Sequence, residues 1–257
     1  MPRLTDFTDI RARLECDRAW AAFSLADLDP PQSAHADWFG PLVGSAVVLV
    51  YDAYDPPIVV CHGDVHQCDA TLAEAGVRTR TTTAYVNMTP DQSAVLSRHF
   101  ERFDRRRMIR MVLDMDMSPD ARMSEQTQTV ERLGPSDVEA LQALYAEKPP
   151  AFFLPSQLRD GVYCGVREGK ALVAVAGTHV VSATARVAAL GNVHTRRDRR
   201  GRGLARLVTG AVIRELLRRG TKTCVLNIVA TNDVARRVYE RVGFREYCVY
   251  DEGVATR

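Results

Sequence analysis

Gly191-Asn192-Val193-His194-Thr195-Arg196-Arg197-Asp198-Arg199-Arg200-Gly201-Arg202-Gly203-Leu204-Ala205-Arg206 is the stretch whose reading decides the fold. An apolar strand runs into a turn of arginines and glycines, and the turn runs directly into an amphipathic helix expected over residues 203–219. Gly201 and Gly203 permit a sharp turn and a close approach of ligand to main chain. The helix start then aims unpaired N–H groups at whatever lies in the turn, with the positive end of the helix dipole behind them. The expectation is a cradle for a pyrophosphate or a similar anion.

Two familiar phosphate loops do not fit. A nucleoside-triphosphate loop needs Gly-x-x-x-x-Gly-Lys-Ser/Thr, and no Lys-Ser or Lys-Thr follows these glycines; a dinucleotide fold needs Gly-x-Gly-x-x-Gly, and its third glycine position is Arg206. Arg-x-x-Gly-x-Ala does fit, read as Arg200, Gly203 and Ala205. It resembles the acyl-CoA signature of the GNAT superfamily of N-acyltransferases. Further on, Asn232, Ala235, Tyr239, Gly243 and Phe244 look like the family's Asn-x-x-Ala-x-x-x-Tyr-x-x-x-Gly-Phe. Between the motifs lies a buried-strand pattern over residues 224–229. The likeness covers residues 136–251.

The resemblance implies a mixed, largely antiparallel, splayed sheet flanked by helices, and acetyl-CoA or another acyl-CoA as cosubstrate. It implies that the strand through Val193, His194 and Thr195 pairs by its main chain with the pantetheine arm, with Val193 or a neighbour offering an N–H to the thioester carbonyl. Arg200, Gly201, Arg202, Gly203, Leu204 and Ala205 would hold the pyrophosphate, and Asn232 would bond the pantetheine or cap its helix. Tyr239 would donate a proton to the departing sulfur, a task a phenol performs at neutral pH. The acceptor would be an amine, on a small molecule or a peptide, attacking directly in a ternary complex. No cysteine sits in a nucleophile motif with a paired base, which disfavours a covalent intermediate.

Composition narrows the class. The chain has 257 residues, room for one large or two ordinary domains, and 46% of them are apolar with no window long enough to span a bilayer, so a soluble globular protein is expected. Its start lacks an apolar leader core, and its six cysteines lie mostly in apolar segments, so a reduced, cytoplasmic protein is expected. The net charge of +2 does not call for nucleic acid. The arginine run lacks interleaved aromatic residues, which disfavours an RNA contact. Cys61, His62, His66 and Cys68 invite a zinc reading, but Gly63-Asp64 separates a strand end from a helix start and no second ligand pair follows; no metal is expected.

Residues 1–127 are expected to form a smaller α/β domain without CoA motifs that shapes the acceptor cleft, and residues 128–257 the GNAT catalytic domain. Two-part chains of this kind resemble the glycine N-acyltransferase-like branch. In the first part, residues 3–28 read as one long helix, with Leu14, Trp20, Phe23 and Leu28 near helical spacing, stopped by Asp29-Pro30-Pro31. Residues 45–51 and 57–61 are a hairpin-like pair of apolar runs. Asp64 and Gln67 form a capping-box pattern for a helix over 65–75. Residues 81–88 are strand-like, Thr89-Pro90-Asp91-Gln92 opens a helix ending near Phe100, and residues 108–115 form a strand before a polar boundary at 118–128.

In the second part residues 129–133 read as a strand, and Ser136 with Glu139 as a capping box for a helix to Lys148. By resemblance the loop at 151–156 lies over the acceptor, where Phe152 and Phe153 would offer an apolar wall. Residues 161–166, 171–181 and 184–195 read as three consecutive strands. No group stands out as general base: His194, His179 and Asp160 are candidates, and water is another. A rival to the enzyme is an acyl-CoA sensor with little turnover.

Overall fold

The structure, a computed structural model, describes residues 2–74, 82–114, 129–147, 149–150 and 152–257. Two units divide it, and neither is one run of chain: Met1–Arg110, Ile228–Thr231 and Tyr247–Arg257 make the first, Met111–Asn227 and Asn232–Glu246 the second. The boundary expected at 127/128 and the polar stretch at 118–128 lie outside the described residues, as do Ala75, Thr81, Met115, Lys148 and Ala151, at which expected elements began or ended.

In the first unit, α1 (Phe7–Glu15) begins where the Asp6 carboxylate accepts the Thr8 and Asp9 N–H groups at 2.8 and 3.3 Å. The single helix expected over 3–28 is in fact two, because α2 (Ala22–Ala26) follows a turn in which Asp17 Oδ1 accepts the Trp20 N–H at 3.0 Å. Trp20 supplies the reason. Its indole meets Tyr250 edge-on at 5.5 Å and donates from Nε1 to the Cys61 carbonyl at 3.1 Å, contacts that outweigh helical propensity at that point.

The sheet of this unit runs β1 (Ala36–Phe39), β2 (Val47–Tyr51), β3 (Ile58–His62), β4 (Thr83–Met88), β11 (Arg245–Thr256) and β5 (Arg102–Asp114, the residues to Arg110). The two apolar runs are an antiparallel pair, Val47 opposite His62 through Tyr51 opposite Ile58. α3 (Val65–Ala73) then carries the chain to β4, which lies parallel to β3. Asp64 caps α3 through the Gln67 N–H at 2.8 Å, but the box is not reciprocal: Gln67 Oε1 accepts the Ser45 and Ala46 N–H groups at 3.1 and 3.2 Å. α4 (Pro90–His99) follows, its entry fixed by the Thr89 N–H on Gln92 Oε1 at 3.1 Å. Val48, Leu72, Val86 and Leu96 fill the core between these helices and the sheet.

Asp27 is a buried acid in this unit, 8% exposed. Burial pushes its pKa up to about 8. The unfolded chain releases this proton near pH 4 and the folded chain retains it, so the contribution to stability is complete below about pH 4 and lost as pH rises through about 8. Asp27→Asn is therefore expected to match the wild type in thermal unfolding at pH 4 and to exceed it at pH 9, by on the order of 3 kcal/mol. Parallel pH dependence of the two proteins would contradict this.

The second unit has the strand order β10 (Thr223–Val229), β9 (Val187–Thr195), β8 (Ala171–Ser182), β7 (Tyr163–Glu168), β6 (Glu131–Leu133). All neighbours are antiparallel except β9 and β10, which are parallel and joined through α7 (Leu204–Arg218). The Ser136–Glu139 box does not form. A 3-10 turn, Pro135–Asp137, precedes α5 (Val138–Tyr145), and Asp137 takes the capping role instead, accepting the Gly134 N–H at 2.8 Å while paired with Arg167. α6 (Gln157–Asp160) and α8 (Asp233–Val242) complete the unit, with Leu141, Leu144, Tyr163 and Val175 in its core. Among the described residues no helix is long and apolar enough to cross a membrane.

One order of elements occurs twice along the chain: β1-β2-β3-α3-β4-α4-β5, then β7-β8-β9-α7-β10-α8-β11. In each case three antiparallel strands are followed by a helix and a strand parallel to the third.

Candidate functional site

The site starts from an irregularity in β9. Val175 of β8 faces His194 and Gly177 faces Gly191, so Asn192 and Val193 together stand opposite Ala176, one extra residue on β9, and Asn192 takes a left-handed conformation at φ 54. Asparagine tolerates that conformation better than most residues. On the other flank the ladder to β10 ends at Leu190 opposite Leu226, although β9 runs on to Thr195. The main chain at Gly191–Val193 is thereby left without a β10 partner among the described residues. Gly191 is required there by close approach: a Cβ would meet His179 Nε2 at 1.9 Å. His194 lies edge-on to the Tyr145 ring at 5.9 Å, and Thr195 Oγ1 is buried with no hydrogen-bond partner among the described residues.

After β9 the arginine run sorts into two groups. Arg196 and Arg199 are tied down, both to Asp198 at 2.7 Å and Arg199 also to Glu168 at 2.7 Å, and the Arg200 Nε donates to the Thr195 carbonyl at 3.1 Å. Arg197 and Arg202 carry no ion pair among the described residues, and both are exposed. The run is thus a braced loop with two uncommitted cations, and its exposed pairs contribute little to stability by themselves. Gly201 and Gly203 are both left-handed, at φ 79 and 77. α7 starts at Leu204, followed by Ala205, with no side-chain cap, so its first N–H groups remain open to a ligand. A cleft of about 620 Å³ opens alongside, lined by Glu147, Arg196, Arg197 and Asp198.

Asn232 caps α8, its Oδ1 accepting the Ala235 N–H at 3.1 Å. Tyr239 is the buried residue of α8, with its ring edge-on to Phe244 at 6.0 Å. Gly243, left-handed at φ 111, ends the helix and turns Phe244 back under that ring. The Tyr239 hydroxyl is carried on this buried ring. Burial pushes its pKa up, so it is a protonated donor at neutral pH.

The candidate bases separate by environment. Burial pushes His179 down to about 4, leaving it neutral at pH 7. Asp160 is held below the usual carboxylate range by its hydrogen bond to Arg159, at 2.8 Å on the surface, which makes it a poor base. Of the residues weighed for zinc, His62 bonds Ser24 Oγ at 2.9 Å and is pushed by burial to about 3, and the Cys68 thiol donates to the His62 carbonyl at 3.2 Å. Among the described residues no group of three His, Cys, Asp or Glu side chains is placed to hold a metal ion.

An FR47-like protein family model matches residues 163–252, from β7 into β11. A GNAT-family protein from Novosphingobium aromaticivorans superposes with a TM-score of 0.63 at 22% identity, over 94% of this chain and 99% of its own. A GCN5-related N-acetyltransferase from Kribbella flavida gives 0.64 at 17%, over 93% and 94%, and a tandem GNAT protein from the clavulanic acid biosynthesis pathway gives 0.62 at 16%, over 99% and 97%. The fold is the GNAT fold. No curated protein matches the chain in sequence. The mixed, largely antiparallel sheet flanked by helices that the motifs implied is the architecture found, and in the GNAT fold the motif residues all fall in the second unit.

Proposed function

We propose that this chain is an acyl-CoA-dependent N-acyltransferase that transfers an acetyl group from acetyl-CoA to a primary amine. One observation carries the reading: β9 loses its β10 partner after Leu190 and then leads, through two left-handed glycines, into a helix start that no side chain caps. The edge of β9 beyond its last β10 pair at Leu190 offers main-chain bonds to the two amides of a pantetheine arm. Residues 200–205 offer the pyrophosphate their N–H groups, the helix dipole and Arg202.

In the reaction the amine lone pair attacks the thioester carbonyl, forming the C–N bond; the oxyanion takes the Val193 N–H; the C–S bond then breaks and the thiolate takes the Tyr239 proton. The proton shed by the amine goes to water, and solvent returns one to Tyr239. Cys164 and Cys224 are pushed by burial to about 11 and 12, which makes them poor nucleophiles and supports direct transfer over an acyl-cysteine. Phe153 meets Tyr145 at a tilt, 5.4 Å away, and Tyr163 edge-on at 6.2 Å, beside the loop at 152–156, which favours an acceptor with an apolar part next to its amine.

Thermal unfolding with excess acetyl-CoA, CoA or ATP tests the donor site. At about a hundred times its dissociation constant a ligand adds roughly 2.7 kcal/mol, a readable shift. Stabilisation by acetyl-CoA and CoA but not ATP is expected, followed by turnover with an amine panel. No shift with either CoA species refutes the reading, and binding without turnover would assign the protein to acyl-CoA sensing.

A further inference from the structure

The β9 bulge is held by a buried polar network whose hydrogen bonds the chemistry above does not use. Asn192, 8% exposed, is its centre. Its Nδ2 donates to the Tyr163 hydroxyl at 2.7 Å and to Gln157 Oε1 at 3.0 Å, and its carbonyl accepts the Tyr145 hydroxyl at 2.6 Å. Tyr163 donates in turn to Gln157 Oε1 at 2.9 Å. Gln157 Nε2 donates to the Phe152 carbonyl at 3.1 Å and reaches the His179 carbonyl at 3.5 Å, while Oε1 also accepts the Leu154 N–H at 3.3 Å. Directions are forced: with its NH2 facing carbonyls, Gln157 must accept through Oε1, so Asn192 must turn its own NH2 toward it. One glutamine thereby joins the 152–154 loop, β7, β8 and the β9 bulge.

The peptide between Asn192 and Val193 is what this network grips. A trans peptide sends its C=O and N–H in opposite directions, so a hydroxyl clamped on the Asn192 carbonyl fixes where the Val193 N–H points. The same bond polarises the peptide and strengthens that N–H as a donor. Asn192 and Val193 sit together opposite Ala176 at the bulge, and the pairing of β9 with β10 ends at Leu190, so this peptide lies outside the regular pairs of both ladders. Core filling alone would be met by apolar side chains of the same shape, without burying two phenols and two amides.

We propose that Tyr145, Gln157, Tyr163 and Asn192 are positioning residues that aim the Val193 N–H at the oxygen of the acyl group and register it to the 152–154 loop. The inference rests on the acyl-transfer reading. Its test is the ¹³C carbonyl shift of [1-¹³C]acetyl-CoA on binding, which needs no acceptor, alongside acetyl-CoA affinity. Wild type is expected to move the carbonyl downfield through the bond to Val193. Tyr145→Phe and Asn192→Gly are expected to lose most of that shift with affinity changed less than about threefold; glycine keeps the left-handed backbone, so its loss isolates the side chain. Tyr163→Phe, the mildest change, should lose part of it.

With an amine substrate in hand, the same variants should lower kcat about tenfold at near-constant KM for acetyl-CoA. An unchanged shift in variants that fold and bind overturns the clamp while the acyltransferase reading stands. So does a loss of affinity in step with kcat, which would mean a general collapse of the site. Wild type that binds no acetyl-CoA sinks the acyltransferase reading itself, and the clamp with it. Should Asn192→Gly not fold, the two phenylalanine variants decide.

Discussion

Tyr239→Phe is expected to lower kcat about 100-fold while acetyl-CoA affinity stays within about threefold. The change removes one hydroxyl and keeps the ring, so the core packing and the Phe244 contact are retained. What is lost is the proton for the departing thiolate. Because burial raises this phenol above its ordinary value, the wild type should show no loss of the acid through neutral and mildly alkaline pH; activity that needs its proton falls only above the raised pKa. Steady-state kinetics beside a CoA-binding titration check the split. Full activity in Tyr239→Phe would reduce the residue to a core tyrosine. Donor esters of lower thiol pKa should narrow the gap between the two proteins, since a better leaving group needs less acid assistance.

Gly203→Val is expected to weaken CoA binding about tenfold or more, since forcing a β-branched residue at φ 77 costs roughly 1–2 kcal/mol and places carbon where the pyrophosphate approaches the main chain. The matched control is Gly220→Val. Gly220 follows the other end of α7 at φ 78, and a Cβ there meets Arg186 at an ordinary 3.6 Å, so it carries the same backbone strain away from the cradle. Calorimetric titration of both should show the affinity loss only for Gly203→Val, with both proteins losing thermal stability. Equal CoA affinity in the two variants would remove the cradle from the 200–205 loop.

Elements whose signals are local were legible. The 47–51 and 58–62 strands are continuous apolar runs, α4 opens on proline with its Gln92 bond, and α7 begins beside the expected glycine turn, because each depends on residues within one or two turns. Elements set by distant contacts were not. The break after α1 follows from Trp20 meeting Tyr250 and Cys61. β1 and β11 escaped notice for the same reason. β11 reads as polar and mixed, yet Glu252 is buried against Arg106, and Gly253 is required where a Cβ would meet the Asp104 carbonyl oxygen at 1.6 Å. Ser136 and Glu139 match a capping box, but Asp137, held by Arg167, caps the turn instead.

The site divides the same way. The arginine–glycine loop and the Asn232–Tyr239 helix are contiguous motifs whose residue types and spacing carry their chemistry, so the sequence by itself determined the kind of ligand sought and the residues that would hold it. Only the tertiary structure decided which arginines are braced by Glu168 and Asp198 and which remain uncommitted, and that Tyr239 is the buried residue of its helix. It alone brought Tyr145, Gln157 and Tyr163 to Asn192, across 47, 35 and 29 positions of chain. A hydrogen bond between buried side chains depends on where two backbones have been carried by packing, and no local pattern of residues records that distance.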